Sequence, residues 1–267
     1  MWLDREFIDP FMQEDPCFWV KIEHLGRYLF AKDTINQIQN GTCTVADFGC
    51  ANGYGSAILA QAARQVDAFD VNADYLNDAR TRHCARNIAY QLFDANSTAA
   101  EPPCAPDRYD LAVAFEILEH VDHPDALLRL LARALKPSGT LLLSVPNPRY
   151  ERTGDDGAST NPYHRHIFAR DAVEAMLAAH GFTLKRTLGQ GLCNILSIRE
   201  AKLVTKKRFE LSTAKNPLFQ DPAVISQFAY LIAYPDDMAI NESYSYLFEA
   251  EKSAANGREA YPRAQSP

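Results

Sequence analysis

Apolar positions along the chain alternate between short continuous runs and longer stretches at helical spacing. From about Cys17 to Gln39, Ile22, Leu25, Leu29, Ile35 and Ile38 keep close to the helical repeat, and Gly41 ends that helix. Thr42 to Phe48 then predicts a strand, Ser56 to Arg64 a helix, Val66 to Val71 a strand and Ala73 to Arg86 a helix. Ile88 to Phe93 predicts a strand ending at Asp94, and Tyr109 to Phe115 is a nearly unbroken apolar strand. Asp122 offers a cap for a helix with Pro124 in its first turn and Leu128, Leu131 and Leu135 along one face; Lys136-Pro137-Ser138-Gly139 stops it. Thr140 to Val145 reads as a strand. Asp171 to His180 reads as a helix with Val173, Met176 and Leu177 inward, closed by Gly181. Phe182 to Leu188 is the next strand, and Ser226 to Ala233 is expected to be the last.

Strands separated by helices of this length predict an α/β fold with a doubly wound parallel sheet. The central runs are apolar on both faces, as a sheet covered by helices requires. The expected organisation is an N-terminal arm and helix over residues 1–41 and a main domain over 42–249. Within that domain, 190–225 is an insertion over the substrate side, and 250–267 is a polar, disordered tail.

Composition narrows the classes. A length of 267 residues with 47% hydrophobic and 23% charged side chains suits one large domain with decorations. No apolar run approaches the roughly 18 residues that span a bilayer. Met1 to Glu6 lacks the basic start of a signal peptide, so a cytoplasmic location is expected. The six cysteines form no CxxC, which argues against a zinc ribbon, a redox pair or a disulfide framework. A formal net charge of -7 disfavours a nucleic-acid partner and leaves a local basic patch open. Nothing in the composition addresses oligomeric state.

The strongest local signal is Val45-Ala46-Asp47-Phe48-Gly49-Cys50-Ala51-Asn52-Gly53-Tyr54-Gly55-Ser56, at a strand-to-helix junction. Glycines there let the backbone turn sharply and approach a ligand. The spacing is G-x-x-x-G-x-G, not the G-x-G-x-x-G of dinucleotide folds, and Asp47 would repel a pyrophosphate. This loop resembles the first motif of the class I S-adenosylmethionine-dependent methyltransferases, an acidic residue, a hydrophobic residue and G-C-G-x-G, with Ala51 in place of the middle glycine. The resemblance covers about Thr42 to Leu188. It implies a Rossmann-like, mostly parallel seven-stranded sheet, S-adenosylmethionine as cofactor and a small-molecule acceptor.

It further implies that Asp47, Gly49, Cys50, Ala51 and Gly53 form the cofactor loop. Asp70, about twenty residues after Gly49, would take the ribose hydroxyls beside Val71. Asp94 would lie near the adenine amino group, with Ala95 packing the ring. A single aspartate at a strand end usually only caps a loop; three in this order around a glycine loop make that reading weak. Glu23-His24-Leu25-Gly26-Arg27-Tyr28 resembles the E-H-L-x-R-Y helix of bacterial members of the family. There Arg27 or Tyr28 would reach the methionine carboxylate as part of a lid. The plain alternative is a helix packed on the sheet, with Phe18 and Trp19 as anchors.

Phe115-Glu116-Ile117-Leu118-Glu119-His120-Val121 follows a central strand. In many class I members E-x-x-E-H is structural, with Glu116 bonding backbone amides and His120 packing or capping; Glu116 is also expected among the cofactor-binding residues. The segment is also similar to that of the ubiquinone-biosynthesis O-methyltransferases and the small-RNA 3′-terminal 2′-O-methyltransferases, where it binds a divalent ion. Carried over, the metal ligands are Glu116, Glu119, His120 and His166 or His164, the last two from Asn161-Pro162-Tyr163-His164-Arg165-His166-Ile167-Phe168. Carboxylate and imidazole donors suit Mg²⁺ or Mn²⁺, which would lower the pKa of a bound hydroxyl. Alternatively His120, His164 or His166 is a general base without metal, or one of the later pair lies at the substrate and the other at the surface. Asn147 could contact substrate or hold a turn, and Lys202, Lys206, Lys207 and Arg208 could be a solvated face or an anion site. The insertion also carries Phe209, Leu211, Leu218 and Phe219, enough to cover a small pocket. The expected chemistry is methyl transfer to oxygen or nitrogen. The rivals are a lyase or cyclase that uses S-adenosylmethionine without moving the methyl, a non-catalytic binding module, and an RNA 3′-end methyltransferase.

Overall fold

A computed structural model describes residues 9–12, 17–38, 42–96, 103–206 and 216–254. The elements run α1 (Phe18–Ile38), β1 (Thr44–Phe48), α2 (Tyr54–Leu59), β2 (Gln65–Asp70), α3 (Ala73–Arg82), β3 (Ile88–Leu92) and β4 (Tyr109–Phe115). There follow α4 (Pro124–Ala134), β5 (Leu135–Pro146), α5 (Arg170–Ala179), β6 (Phe182–Gly189), α6 (Gly191–Thr205), α7 (Pro222–Ile232) and β7 (Ser245–Lys252). Short 3-10 turns occupy Pro217–Gln220 and Ile240–Glu242.

The strands form one seven-stranded sheet in the order β3-β2-β1-β4-β5-β7-β6. All neighbouring pairs from β3 to β5 are parallel, and β7 is antiparallel to both β5 and β6. This is the doubly wound α/β architecture expected. The central strands are buried on both faces: every residue of β1 and all of β4 except Asp110 are buried. One face packs Ile22, Leu25, Leu29 and Ile35 of α1 with Ile58 of α2 and Ile225 of α7. The opposite face packs Leu127, Leu128 and Leu131 of α4 with Val173 and Leu177 of α5. Helix α1 is no loose lid, since it is buried around most of its circumference. Among the described residues no helix is long and apolar enough to cross a membrane.

Three sequence expectations are corrected. Ser226 to Ala233 is not a strand but lies in α7, which Asp221 caps through its side chain and Pro222 starts. The last strand is β7, so Ala250, expected to begin a disordered tail, is fully buried, and pairing continues to Lys252. Residues 255–267 lie outside the described residues. The α4 N-cap is His123 rather than Asp122, and Leu135 leaves the helix to pair with Tyr109 in the sheet. The insertion expected over residues 190–225 contains α6. Strand order reverses direction between β1 and β4, and the crevice beyond their carboxyl ends is where an open α/β sheet binds ligands.

Candidate active site

A cavity of about 330 Å³ opens at that crevice. Its floor is the turn after β1. Gly49 N and Cys50 N both donate to the Phe69 carbonyl, at 2.8 and 3.0 Å, tying the turn to β2. Asp70 ends β2 and braces the same turn, accepting from Ala51 N and Asn72 N, each at 2.8 Å. Burial raises the Asp70 carboxyl above its ordinary value, while those backbone donors oppose the shift. Ala51 sits at φ 47°, the left-handed conformation that glycine would occupy without strain. Gly49, Cys50, Ala51, Asp70, Val71, Asp94 and Ala95 all line the cavity, as expected.

Asp47 and Gly53 do not line it. Asp47 is fully buried behind the turn and accepts from Ser56 Oγ at 2.6 Å and Tyr28 Oη at 3.3 Å. Burial pushes its carboxyl up to about 7. Gly53, at φ 84°, turns its absent side chain towards Tyr90, whose Oη would lie 2.5 Å from a Cβ. Both residues shape the loop from behind.

One end of the cavity is an apolar slot of Phe69, Phe93 and Ile117, with Phe48 and Phe69 stacked at 4.8 Å. Asp94 stands at its rim. The other end is closed by His24, Arg27 and Tyr28 of α1. The Tyr28 ring packs edge-on to Tyr54 and Phe115, at 5.3 and 5.2 Å, and only a glycine at Gly55 leaves room for it. Arg27 is 2% exposed; its Nη1 lies 3.7 Å from Glu116 Oε1 and has no hydrogen-bond partner among the described residues. Burial disfavours the cation, yet Glu116 and Glu23 carry Arg27 above its ordinary value. Glu23 is itself pushed up to about 7 by burial, against the pull of Arg27.

Glu116 also adopts a left-handed φ, 51°, at the end of β4. Its carboxylate accepts from Ser144 Oγ at 2.6 Å and Ser245 Oγ at 3.1 Å. These bonds and Arg27 occupy its carboxylate, and it is not among the ligand atoms that gather within 4.8 Å of one another.

Glu119 and His120 meet the 161–167 segment instead. Arg165 N and His166 N donate to the Glu119 carbonyl at 2.8 and 3.2 Å. His120 Nδ1 lies 2.9 Å from the Tyr163 carbonyl. A carbonyl only accepts, so Nδ1 carries the proton and Nε2, 3.7 Å from Glu119 Oε1, keeps its lone pair. His164 Nδ1 lies 2.8 Å from Glu151 Oε1, and the His120 and His164 rings meet edge-on at 4.9 Å. Glu119 is 1% exposed, and neither carboxyl oxygen has a hydrogen-bond partner among the described residues. Burial, then Glu116, raises its carboxyl well above the ordinary value, whereas burial lowers His120. One candidate ligand atom each from Glu119, His120 and His164 lies within 4.8 Å of the others. Glu116 and His166 are outside this trio. His166 faces a small recess shared with Glu119, Glu151 and His164, its Nε2 buried without a partner among the described residues. Only His120 of the three histidines lines the main cavity.

The other expected residues lie away from the cavity or outside the described residues. Phe18 is core, and Trp19 Nε1 donates to Glu200 at 2.5 Å. Asn147 is buried and donates to the Ser243 carbonyl at 2.9 Å, holding a turn. Phe219 packs on Phe18 at 4.7 Å, whereas Leu218 is exposed. Lys202 and Lys206 are exposed; Lys207, Arg208, Phe209 and Leu211 lie outside the described residues. Sequence reasoning missed Phe69, Phe93, Tyr163 and Glu151. The two phenylalanines carry an apolar signal indistinguishable from core, and Glu151 belongs to no pattern.

A family model described as a methyltransferase domain matches residues 22–187. A probable S-adenosylmethionine-dependent methyltransferase of Mycobacterium tuberculosis is similar at 32% identity over 143 residues, 52% of this chain and 50% of its own. A ubiquinone biosynthesis O-methyltransferase of Xanthomonas campestris pv. campestris is similar at 35% identity over 105 residues, 39% of this chain and 43% of its own. The chain thus spans about half the length of the curated relatives it matches. Among solved structures, the cyclase SpnF is similar with a TM-score of 0.56 and 18% identity, over 84% of this chain and 81% of that one, a likeness of fold alone.

Proposed function

The chain belongs to the class I S-adenosylmethionine-dependent methyltransferases, and on that premise we propose that it methylates an oxygen, or a nitrogen, of a small-molecule acceptor with help from a divalent ion. The observation that carries this reading is the pairing of two sites. A cavity lined by Asp70 and Arg27 adjoins a trio of lone-pair donors, a buried Glu119 with the half-buried His120 and His164. Acidic groups at both strand ends suit a nucleoside without phosphates. The net charge of -7 favours a small acceptor over an RNA end.

S-adenosylmethionine supplies the methyl electrophile; the residues supply position and charge. Asp70, already fixed by two backbone donors, has lone pairs left for the ribose hydroxyls. Phe69 and Phe93 provide an apolar slot for the base, and Asp94 at its rim can accept from the amino group. Arg27, with Nη1 lacking a partner among the described residues, suits the amino-acid carboxylate. His120 Nε2, on the cavity wall with its lone pair free, suits the acceptor's proton where no ion is held; with an ion there, that lone pair is a ligand instead. Holding the reactants in line can lower the barrier by roughly 7–11 kcal/mol. Proton removal adds roughly 10²–10⁴-fold.

Glu119, His120 and His164 fit a divalent ion such as Mg²⁺ or Mn²⁺, because Glu119 has two buried oxygens with no partner among the described residues. Such an ion would act there as a Lewis acid on an acceptor hydroxyl. The test incubates the protein with S-adenosylmethionine and a pool of hydroxylated and amino acceptors. S-adenosylhomocysteine should appear, EDTA should suppress it, and Mn²⁺ should restore it. Methylthioadenosine, or acceptor conversion without consumption of S-adenosylmethionine, would favour the lyase or cyclase reading. Undiminished turnover in chelator would remove the ion.

A further inference from the structure

His164 and His120 are each oriented by one acceptor, and both acceptors hang from the same turn. Ser159 Oγ donates to Glu151 Oε1, the oxygen that faces His164 Nδ1 at 2.8 Å. Asn161 N donates to Ser159 Oγ at 3.0 Å, and Asn161 Oδ1 accepts from Tyr163 N at 3.1 Å. Tyr163 then offers its carbonyl to His120 Nδ1 at 2.9 Å. A bridge between Thr153 and Ser159 folds the segment back on itself. Glu151 and His164 are nearly withdrawn from solvent, with side chains 6% and 10% exposed.

We propose that Glu151 is a positioning residue that holds the proton of His164 on Nδ1 and so leaves Nε2 as the lone-pair nitrogen beside His120 and Glu119. A carboxylate cannot donate, so its contact with Nδ1 fixes which nitrogen is protonated. A free imidazole in water prefers the proton on Nε2. Without Glu151 the lone pair would move to Nδ1, the nitrogen that now faces the Glu151 carboxylate. The same bond restricts rotation of the imidazole, as carboxylates do behind metal-bound histidines. The tautomer follows from hydrogen-bond geometry alone; its consequence for ion binding rests on the metal reading above.

Long-range ¹H–¹⁵N correlation spectra of the metal-free full chain test the first part directly. His164 should show the Nδ1–H tautomer in the wild type and in Glu151→Gln, whose amide oxygen still accepts, and the Nε2–H tautomer in Glu151→Leu. Mn²⁺ titration followed by electron paramagnetic resonance should show affinity falling about 10–100-fold in Glu151→Leu and largely retained in Glu151→Gln. An Nε2–H tautomer at His164 in the wild type overturns the proposal even if the leucine variant does not fold. So does an unchanged tautomer in a folded leucine variant. A wild type with the Nδ1–H tautomer but no Mn²⁺ binding would instead overturn the metal reading and leave the role of Glu151 standing.

Discussion

At the scale of single residues, the site holds its strain where the ligand is expected. Ala51 and Glu116 both carry a positive φ at the cavity wall, a placement associated with function. Ala51→Gly should relieve about 1–2 kcal/mol of left-handed strain and give back about 0.4–1 kcal/mol in unfolded-state entropy. The expected outcome is a melting temperature unchanged or raised by a few degrees; a clear fall would show that Ala51 is unstrained. Asp70→Ala removes the acceptor of both loop amides and, on the reading proposed above, of the ribose hydroxyls. S-adenosylhomocysteine affinity measured by calorimetry should weaken by about 1–3 kcal/mol. An unchanged dissociation constant would take Asp70 out of the site. Asp70, Asp94 and Arg27 were legible in the sequence because strand ends and helix positions fix where such residues fall. Asp47 was legible as a motif member but not as a buried brace, because spacing does not say which side of a turn a carboxylate takes.

At the scale of elements, α1 shows what burial does to charge. Glu23 lies in a helix buried almost all round, and its folded value of about 7 exceeds the ordinary 4.5. The folded chain therefore keeps a proton that the unfolded chain releases. That contribution to stability is complete below about pH 4.5 and is lost as pH climbs through 7, at up to about 1.4 kcal/mol per pH unit. Glu23→Gln should melt with a shallower decline than the wild type between pH 5 and 8, seen in parallel calorimetric scans. Identical slopes would mean that Glu23 is ionised throughout. The same scale explains the main misreading of the fold. Phe228 to Ala233 is continuously apolar, and such a run does not distinguish a buried strand from a helix. Asp221-Pro222, a cap followed by proline at the first helical position, was the available signal. In β7, by contrast, Ala250, Glu251 and Lys252 read as the start of a polar tail, because cross-strand partners such as Lys185, beside Glu251, are far away in sequence.

At the scale of the whole molecule, the sheet makes one crevice, and its chemistry predicts a selective ligand response. Saturation with S-adenosylhomocysteine at 100 times its dissociation constant should add about 2.7 kcal/mol to stability, a rise of several degrees in melting temperature. NAD at equal concentration should leave the transition in place, since Asp70 and Asp94 line the cavity and would repel a pyrophosphate. A larger shift with NAD would overturn the family's ligand in this chain. Strand β7 has a temporal consequence as well. Because it enters antiparallel between β5 and β6, its first residue brings Ser245 to Glu116, 129 positions earlier. A ribosome releases the glycine turn, the histidines and Arg27 well before that serine. The nascent chain thus holds nearly every ligand-binding group in an unfinished sheet, and Glu116 acquires its second hydroxyl donor only when the seventh strand slots into the gap left for it.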